Sequence, residues 1–541
     1  MPISCPTKPH TRLCACRGIT VWLMLVIFAG CSTHVRAPFE VSETETALPA
    51  AQEGPLADLE LALQKRIVQN TAPVGLASVS STDISGFYLL DRSEEALRWR
   101  LALIDSATET IDLQYYLYHS DNTGMLLTSR LIAAADRGVR IRVIIDDMGT
   151  LASGKRQREL RDTLGKLMGA HPNISFRLFN SAENRKSVAW GVEFATNFAQ
   201  LNHRMHNKSL IADNRAVILG GRNIGDEYMG LGEDLNFRDI DVLGVGPVSR
   251  QTSAVFDLFW NSGWAIPVSE ERKDQARSEY PALRTALATN LEQSTQLDAF
   301  SLAPKNWNLA LQELETSLHL GSSEVITDRP TTNGISTDLL TALFELLPQT
   351  DNELLVTNAY FIPDDPGIEM LEHLKERGVD VTVHTNSLAS QDVVAVNSHY
   401  KVWRGPLLDA GVELYEARHD AAIKSTVVDT PPVSAAVMGL HSKSLVIDRR
   451  LSVIGSANFD PRSALINSEM FAVIDSEGLA NQLAEVIERD VLPANSWRVE
   501  RNQEGVISWR NSNEIRTKQP SLSAWQRFQD KFFKLFPKRL Y

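Results

Sequence analysis

This sequence predicts an α/β fold in two similar halves, and three observations carry that prediction. At 541 residues the chain is too long for one ordinary core and suits two domains of about 200 residues each, with extensions. Short β-branched runs alternate with helical stretches of about 10 to 15 residues, as in α/β units around a mostly parallel sheet. The alternation then repeats. TIDLQYYLYHSDNTG at 110–124 is answered by ELLVTNAYFIPDDPG at 353–367, and RGVRIRVIIDD at 137–147 by RGVDVTVHTNS at 377–387.

Taken in order, residues 1–17 carry Lys8, Arg12 and Arg17, residues 18–30 are the apolar run GITVWLMLVIFAG, and Cys31 follows Ala29-Gly30. That is the layout of a signal peptide, and the run is shorter than the roughly 20 residues a spanning helix needs. The segment resembles a bacterial lipoprotein signal, which implies a lipid anchor at Cys31. An uncleaved signal anchor is the alternative, and both put the body outside the cytoplasm. All four cysteines, Cys5, Cys14, Cys16 and Cys31, fall within this segment. Residues 32–75, rich in Ala, Glu, Thr, Pro and Ser, read as a tether with a short helix through ADLELALQKRIVQN. Residues 76–270 and 336–500 are the two similar domains. Residues 271–335, with polar helical stretches and no strand signal, read as a linker or insertion, and 501–541 as an amphipathic C-terminal segment. A hydrophobic fraction of 43% against 22% charged predicts that most of the chain folds. The net charge of -13 argues against extended nucleic acid as a partner, because that affinity rests on neutralising phosphates.

Deeper in each half the repeat becomes chemical: HNKSLIADNRAVILGGRN runs from His206 to Asn223, and HSKSLVIDRRLSVIGSAN from His441 to Asn458. In both, Lys (208, 443) follows His by two, Asp (213, 448) by seven and Asn (223, 458) by seventeen. On a strand, residues two apart face one side, so His and Lys project together. A phosphodiester needs cations on its non-bridging oxygens, an in-line nucleophile and an acid for the leaving oxygen. Two imidazoles, Lys208 and Lys443, and donors from Asn223, Asn458 and Ser456 supply those parts. A carboxylate on the second ring nitrogen would fix each tautomer. Glu469, 28 residues after His441, and Asp239 in FRDIDVLGVG are the candidates, with Asp241 competing.

The duplicated HxKxxxxD with GGRN and GSAN resembles the signature of the phospholipase D superfamily. RMHNKSLIAD, GGRNIGDEY, FRDIDVLGVGP, GSANFDPRS and NSEM are similar to the bacterial cardiolipin synthases. The resemblance implies two domains about a pseudo-twofold axis, an active site at their interface, and neither metal nor other cofactor. It implies attack by His206, acid/base work by His441, and a phosphohistidine intermediate, with Asp213 and Asp448 structural at the strand ends. The expected activity is phosphatidyl transfer that makes cardiolipin from phosphatidylglycerol and a second phospholipid. Hydrolysis to phosphatidic acid is the alternative, and an exported nuclease a more distant one. Phospholipid substrates, a membrane surface and a place in the bacterial envelope facing the periplasm go with this reading. Ser32 after Cys31 leans the anchor toward the outer membrane.

His203 reads as a packing or surface residue, and Asp146 and Asp147 as strand-end capping or pocket residues rather than a metal pair. In SAWQRFQDKFFKLFPKRLY, Trp525, Phe528, Phe532 and Phe536 share one helical face, ringed by Arg527, Lys531, Lys534, Lys538 and Arg539. That face predicts either an interfacial helix or a stripe docked on the enzyme's own core.

Overall fold

The computed structural model describes residues 44–71, 83–147, 155–180, 202–332, 334–502 and 504–535. The signal segment with Cys31, residues 32–43 and 72–75 of the expected tether, and Phe536, Lys538 and Arg539 lie outside them.

The described chain opens with α1 (Pro55–Thr71), then β1 (Ile84–Leu90), α2 (Ser93–Ser106), β2 (Thr110–Tyr115), α3 (Asn122–Asp136), β3 (Arg140–Asp146), α4 (Lys155–Ala170) and β4 (Ile174–Phe179). The first motif supplies β5 (Ser209–Ala212) and β6 (Ala216–Gly220). Then come β7 (Leu235–Arg238), β8 (Asp241–Val245), α5 (Pro247–Trp260) and β9 (Ala265–Pro267). Two helices, α6 (Glu270–Glu292) and α7 (Asn308–Ser317), lead into the second half.

That half runs β10 (His319–Thr327), α8 (Asp338–Leu346), β11 (Glu353–Asn358), α9 (Asp365–Glu376), β12 (Asp380–Asn386), α10 (Val394–Tyr400), α11 (Arg404–Asp409) and β13 (Glu413–Ala417). It continues through β14 (Val437–Leu440), β15 (Lys443–Ile447), β16 (Leu451–Gly455), α12 (Pro461–Leu465), β17 (Met470–Asp475) and α13 (Glu477–Asp490). The chain closes with β18 (Ser496–Arg501), β19 (Ile507–Arg510), β20 (Ile515–Arg516) and α14 (Ala524–Phe533).

Among the described residues eighteen strands form one sheet, and its order shows the duplication. Outward from the antiparallel β1–β10 pair, β8, β6, β5, β2, β3 and β4 on one side are matched by β17, β16, β15, β11, β12 and β13 on the other. Parallel pairing in this sheet is confined to β2-β3-β4 and β11-β12-β13, so it is mixed rather than mostly parallel. The excess of antiparallel pairs arises because each HxK strand returns by a tight turn to the next strand instead of crossing over through a helix.

Local signals agree between the halves. Asp121 and Asp364 cap α3 and α9 by accepting from the N–H of Gly124 and Gly367. A Cβ at Gly124 would lie 1.8 Å from the His119 carbonyl oxygen, so only glycine fits there. Apolar side chains of β1, β5, β6 and β8 join those of β15, β16, β17 and α13 in one buried cluster, which binds the halves together.

Two expectations change. The stretch read as a tether includes α1, whose Leu56, Leu59, Leu63 and Ile67 are buried at helical spacing while Glu60 pairs with Arg215 and Arg250. Residues 44–71 therefore belong to the folded body. The stretch 271–335 carries β10, a central strand of the sheet; its GSS core gave no apolar alternation to read. Among the described residues no helix is long and apolar enough to cross a membrane.

At the C-terminus, α14 docks by its polar face. Gln526 Nε2 donates to the Leu388 carbonyl at 2.6 Å, and buried Asp530 accepts from Lys401 Nζ and Asn397 Nδ2, both at 2.6 Å. Trp525, Phe528 and Leu535 face outward at 64%, 56% and 80% exposure. The alternative of an aromatic stripe docked on the core does not hold, because buried ion pairing and hydrogen bonds fix the opposite face.

Candidate active site

Two short parallel contacts between the halves build the site. Met205 bridges Ser468, and β7 pairs with β14, setting Arg238 opposite Leu440. The residue after each partner is chemical: His206 and Glu469 follow the first contact, Asp239 and His441 the second. The His206 N–H donates to the Ser468 carbonyl and the His441 N–H to the Arg238 carbonyl, at 2.9 and 2.8 Å. Both histidines therefore sit just ahead of their strands β5 and β15, held by the opposite half.

The carboxylates are exchanged in the same way. His206 Nδ1 lies 2.8 Å from Glu469 Oε2, and His441 Nδ1 lies 2.6 Å from Asp239 Oδ2. With Nδ1–H donating, each Nε2 keeps its lone pair. Glu469 also accepts from Ser456 Oγ at 2.6 Å, and Asp239 from the Ile240 N–H at 2.8 Å. Burial pushes both carboxyls up, yet the histidine and lysine beside each hold it below the usual carboxylate range. Asp241, the competing candidate, is taken up instead by Arg100 and Arg222.

Lys208 and Lys443 turn their Nζ back onto the carbonyls of His206 and His441. Burial, together with each other's charge in the case of Lys208, brings Lys208 down to about 7, and burial brings Lys443 down to about 8. Burial lowers His206 to about 4, with both lysines adding to the effect against Glu469. His441 is lowered by burial and by Lys443, opposed by Asp239. The influence of Lys443 on both Lys208 and His206 places the two motifs in one electrostatic neighbourhood, with the imidazoles held neutral by burial and the lysines against the pull of their ionised carboxylates.

Of the remaining candidates, Asn223 lies at the site's edge, where its Oδ1 accepts from the Leu117 N–H at 3.1 Å. Asn458 is buried with Oδ1 unpartnered among the described residues. Asp213 and Asp448 are not brought to the imidazoles. Asp213 accepts from the N–H groups of Thr108, Glu109 and Thr110, and Asp448 from those of Asp351, Asn352 and Glu353. Each stands at positive φ, tying the turn after the HxK strand to the start of the neighbouring strand. Asp146 accepts from the Met205 N–H at 2.9 Å, so it braces the segment leading to His206. His203 meets the Ile466 carbonyl, away from the pair.

Sequence reasoning missed the rings around the imidazoles. Tyr116 meets His206 edge-on at 4.9 Å with Lys208 over its face at 5.6 Å, while Tyr228 and Phe237 flank His441 at 5.2 and 5.0 Å. The pair Tyr115-Tyr116 at the end of β2 was the available signal, since the strand's period puts one ring in the core and the other toward the motif.

The family described as "Cardiolipin synthase, PLD-like domain" matches residues 101–260 and 343–491. Cardiolipin synthase C of Escherichia coli K12 is 33% identical over 472 residues, covering 84% of this chain and 95% of that protein. The chain belongs to the PLD-like cardiolipin synthase family. Another relative, the major cardiolipin synthase ClsA of Bacillus subtilis 168, is 25% identical over 402 residues, 74% of this chain and 67% of its own length. The solved structure of phosphatidylserine synthase from Haemophilus influenzae Rd KW20 shares the fold, with a TM-score of 0.52 at 16% identity over 79% of this chain and 90% of that one. As a member of the PLD-like cardiolipin synthase family, the chain is a phospholipase D-superfamily enzyme.

Proposed function

We propose that this enzyme transfers a phosphatidyl group to the glycerol hydroxyl of phosphatidylglycerol, making cardiolipin, with phosphatidylethanolamine or a second phosphatidylglycerol as donor. The observation that carries the reading is the pair of buried imidazoles, each with a lysine two residues on and each taking on Nδ1 an ionised carboxylate from the other half. Nε2 of His206 attacks phosphorus, the bond to the head-group oxygen breaks, and His441 gives that oxygen a proton. In the second step His441 takes the proton of the acceptor hydroxyl, the oxygen attacks phosphorus, and the P–N bond breaks. Burial and both lysines lower His206, so it stays unprotonated as a nucleophile must. The anionic phosphate compensates Lys443, one of the charges that depress His441, so substrate binding itself prepares the acid. Lys208 and Lys443 neutralise the non-bridging oxygens.

A bilayer supplies both lipids, and α14 suits it. The exposed charges beside its outward aromatic face are Arg527, Lys531 and Lys534, a cationic patch on a chain of net charge -13. Reversible binding of this kind gains most from a second anchor, which a lipid on Cys31 would provide from the periplasmic face of the envelope.

The test is product analysis with labelled phosphatidylglycerol, with and without phosphatidylethanolamine. Labelled cardiolipin is expected, lost by at least about a thousandfold in His206→Ala and His441→Ala. Phosphatidic acid as the sole product would replace transfer by hydrolysis.

A further inference from the structure

The connection between the halves roofs one of them. In the first half α6 lies against α3 and α4, and Leu297, Phe300 and Trp307 enter the same buried cluster as Leu126 and Leu127 of α3. Arg130 of α3 donates to the Ser301 carbonyl, and Trp307 Nε1 to Asp105, sealing that roof. The counterpart surface of the second half, on α8 and α9, opens instead into a cavity of about 220 Å³.

The cavity is apolar and leads to the chemistry. Leu339, Leu343 and Phe344 of α8 face Met370 and Leu371 of α9, and Leu465, 61% exposed, stands at the rim. The inner end is Ala457-Asn458-Phe459, directly after Ser456, which binds Glu469. A smaller void shares Leu343, Ala457 and Phe459 with it and reaches Lys443 and Ser444. At this inner end Asn458 Oδ1 is buried with no hydrogen-bond partner among the described residues. An apolar bore that ends in an unsatisfied amide oxygen beside a phosphate-binding lysine matches one kind of molecule, an amphiphile with a glycerol and a phosphate at its head.

We propose that this cavity seats one fatty acyl chain of the phospholipid whose phosphate is held at Lys443, so that the second half carries acyl-chain recognition. The inference rests on the reading that the site works on phospholipids and adds where the tail goes. A chain drawn from the bilayer loses about fourfold in binding for each methylene left in water; the cavity removes that penalty. Asn458 Oδ1 accepts from the head-group glycerol hydroxyl of phosphatidylglycerol.

The experiment compares wild type with Met370→Trp and Ala464→Trp, which narrow the bore without touching Lys443, Ser456 or Asn458. Phosphatidylglycerol with 6-carbon or 16-carbon chains is presented in nonionic-detergent micelles. For the long-chain lipid KM rises at least tenfold, while the short-chain value stays within twofold and the thermal midpoint is unchanged. Equal losses on both lipids, or no change on either, overturn the proposal. A second measurement reads binding without turnover: phosphatidylglycerol with a diazirine near its acyl end, in mixed phosphatidylglycerol and phosphatidylethanolamine vesicles, is irradiated with wild type and with His206→Ala. Label within 338–347 or 363–371 is expected, and label only elsewhere, or none, overturns it. Should wild type make neither cardiolipin nor phosphatidic acid, the activity falls while the labelling still decides the cavity.

Discussion

Two buried aspartates near the first motif do opposite work, and single substitutions separate them. Asp213 satisfies three backbone N–H groups and touches no imidazole. Asp213→Ala is expected to cost about 3 kcal/mol of stability and lower the thermal midpoint, with kcat per folded molecule within about twofold of wild type. Asp239 orients His441, and it is held in place by Gly221, where a Cβ would lie 2.2 Å from Asp239 Oδ1. Gly221→Ala therefore pushes the carboxylate off the ring. A drop in kcat of about 10- to 100-fold at nearly unchanged KM is expected, and a kcat equal to wild type would show that the carboxylate does not set the imidazole.

At the scale of elements, α14 shows the limit of pattern. Its spacing told that one face is aromatic and the other polar, but amphipathicity fixes the angle between faces, not which one meets the body. That was decided by Asp530, whose partners Lys401 and Asn397 lie 129 and 133 residues away. Replacing Trp525 and Phe528 by Ser should cut sedimentation with vesicles rich in phosphatidylglycerol by at least about fivefold. Turnover on short-chain lipid in detergent should stay unchanged, and vesicle binding equal to wild type would leave the helix without that task. The strands of both motifs were legible because their offsets are local and duplicated. The pairing of Glu469 with His206 was not, because it depends on the Met205–Ser468 bridge, a contact between residues 263 apart. Strand β10 escaped for a third reason, since its place in the sheet comes from pairing with β1 and β17 rather than from its own alternation.

For the whole molecule the decisive quantity is the charge state of a shared, dry site. In the free enzyme Lys208 and Lys443 lose their protons near about 7 and 8, so their charge is present below those values and lost above them. His206, lowered to about 4, becomes protonated and useless as a nucleophile only in acid. The profile of kcat/KM should thus fall on the alkaline side from about pH 7 to 8 and on the acid side toward pH 4. In kcat the alkaline limb should move up, because bound phosphate holds the lysines charged. A flat kcat/KM between pH 6 and 9 would contradict these assignments.

The exchange of Glu469 and Asp239 between halves has an evolutionary price. Once each histidine leans on a carboxylate encoded in the other repeat, neither repeat drifts alone. A chimera joining the amino half of one such enzyme to the carboxyl half of a distant cousin inherits mismatched bridges at Met205–Ser468 and Arg238–Leu440. It would lose both imidazole settings at once, so the duplication, having fused two genes' worth of sequence, obliges them to be inherited as one.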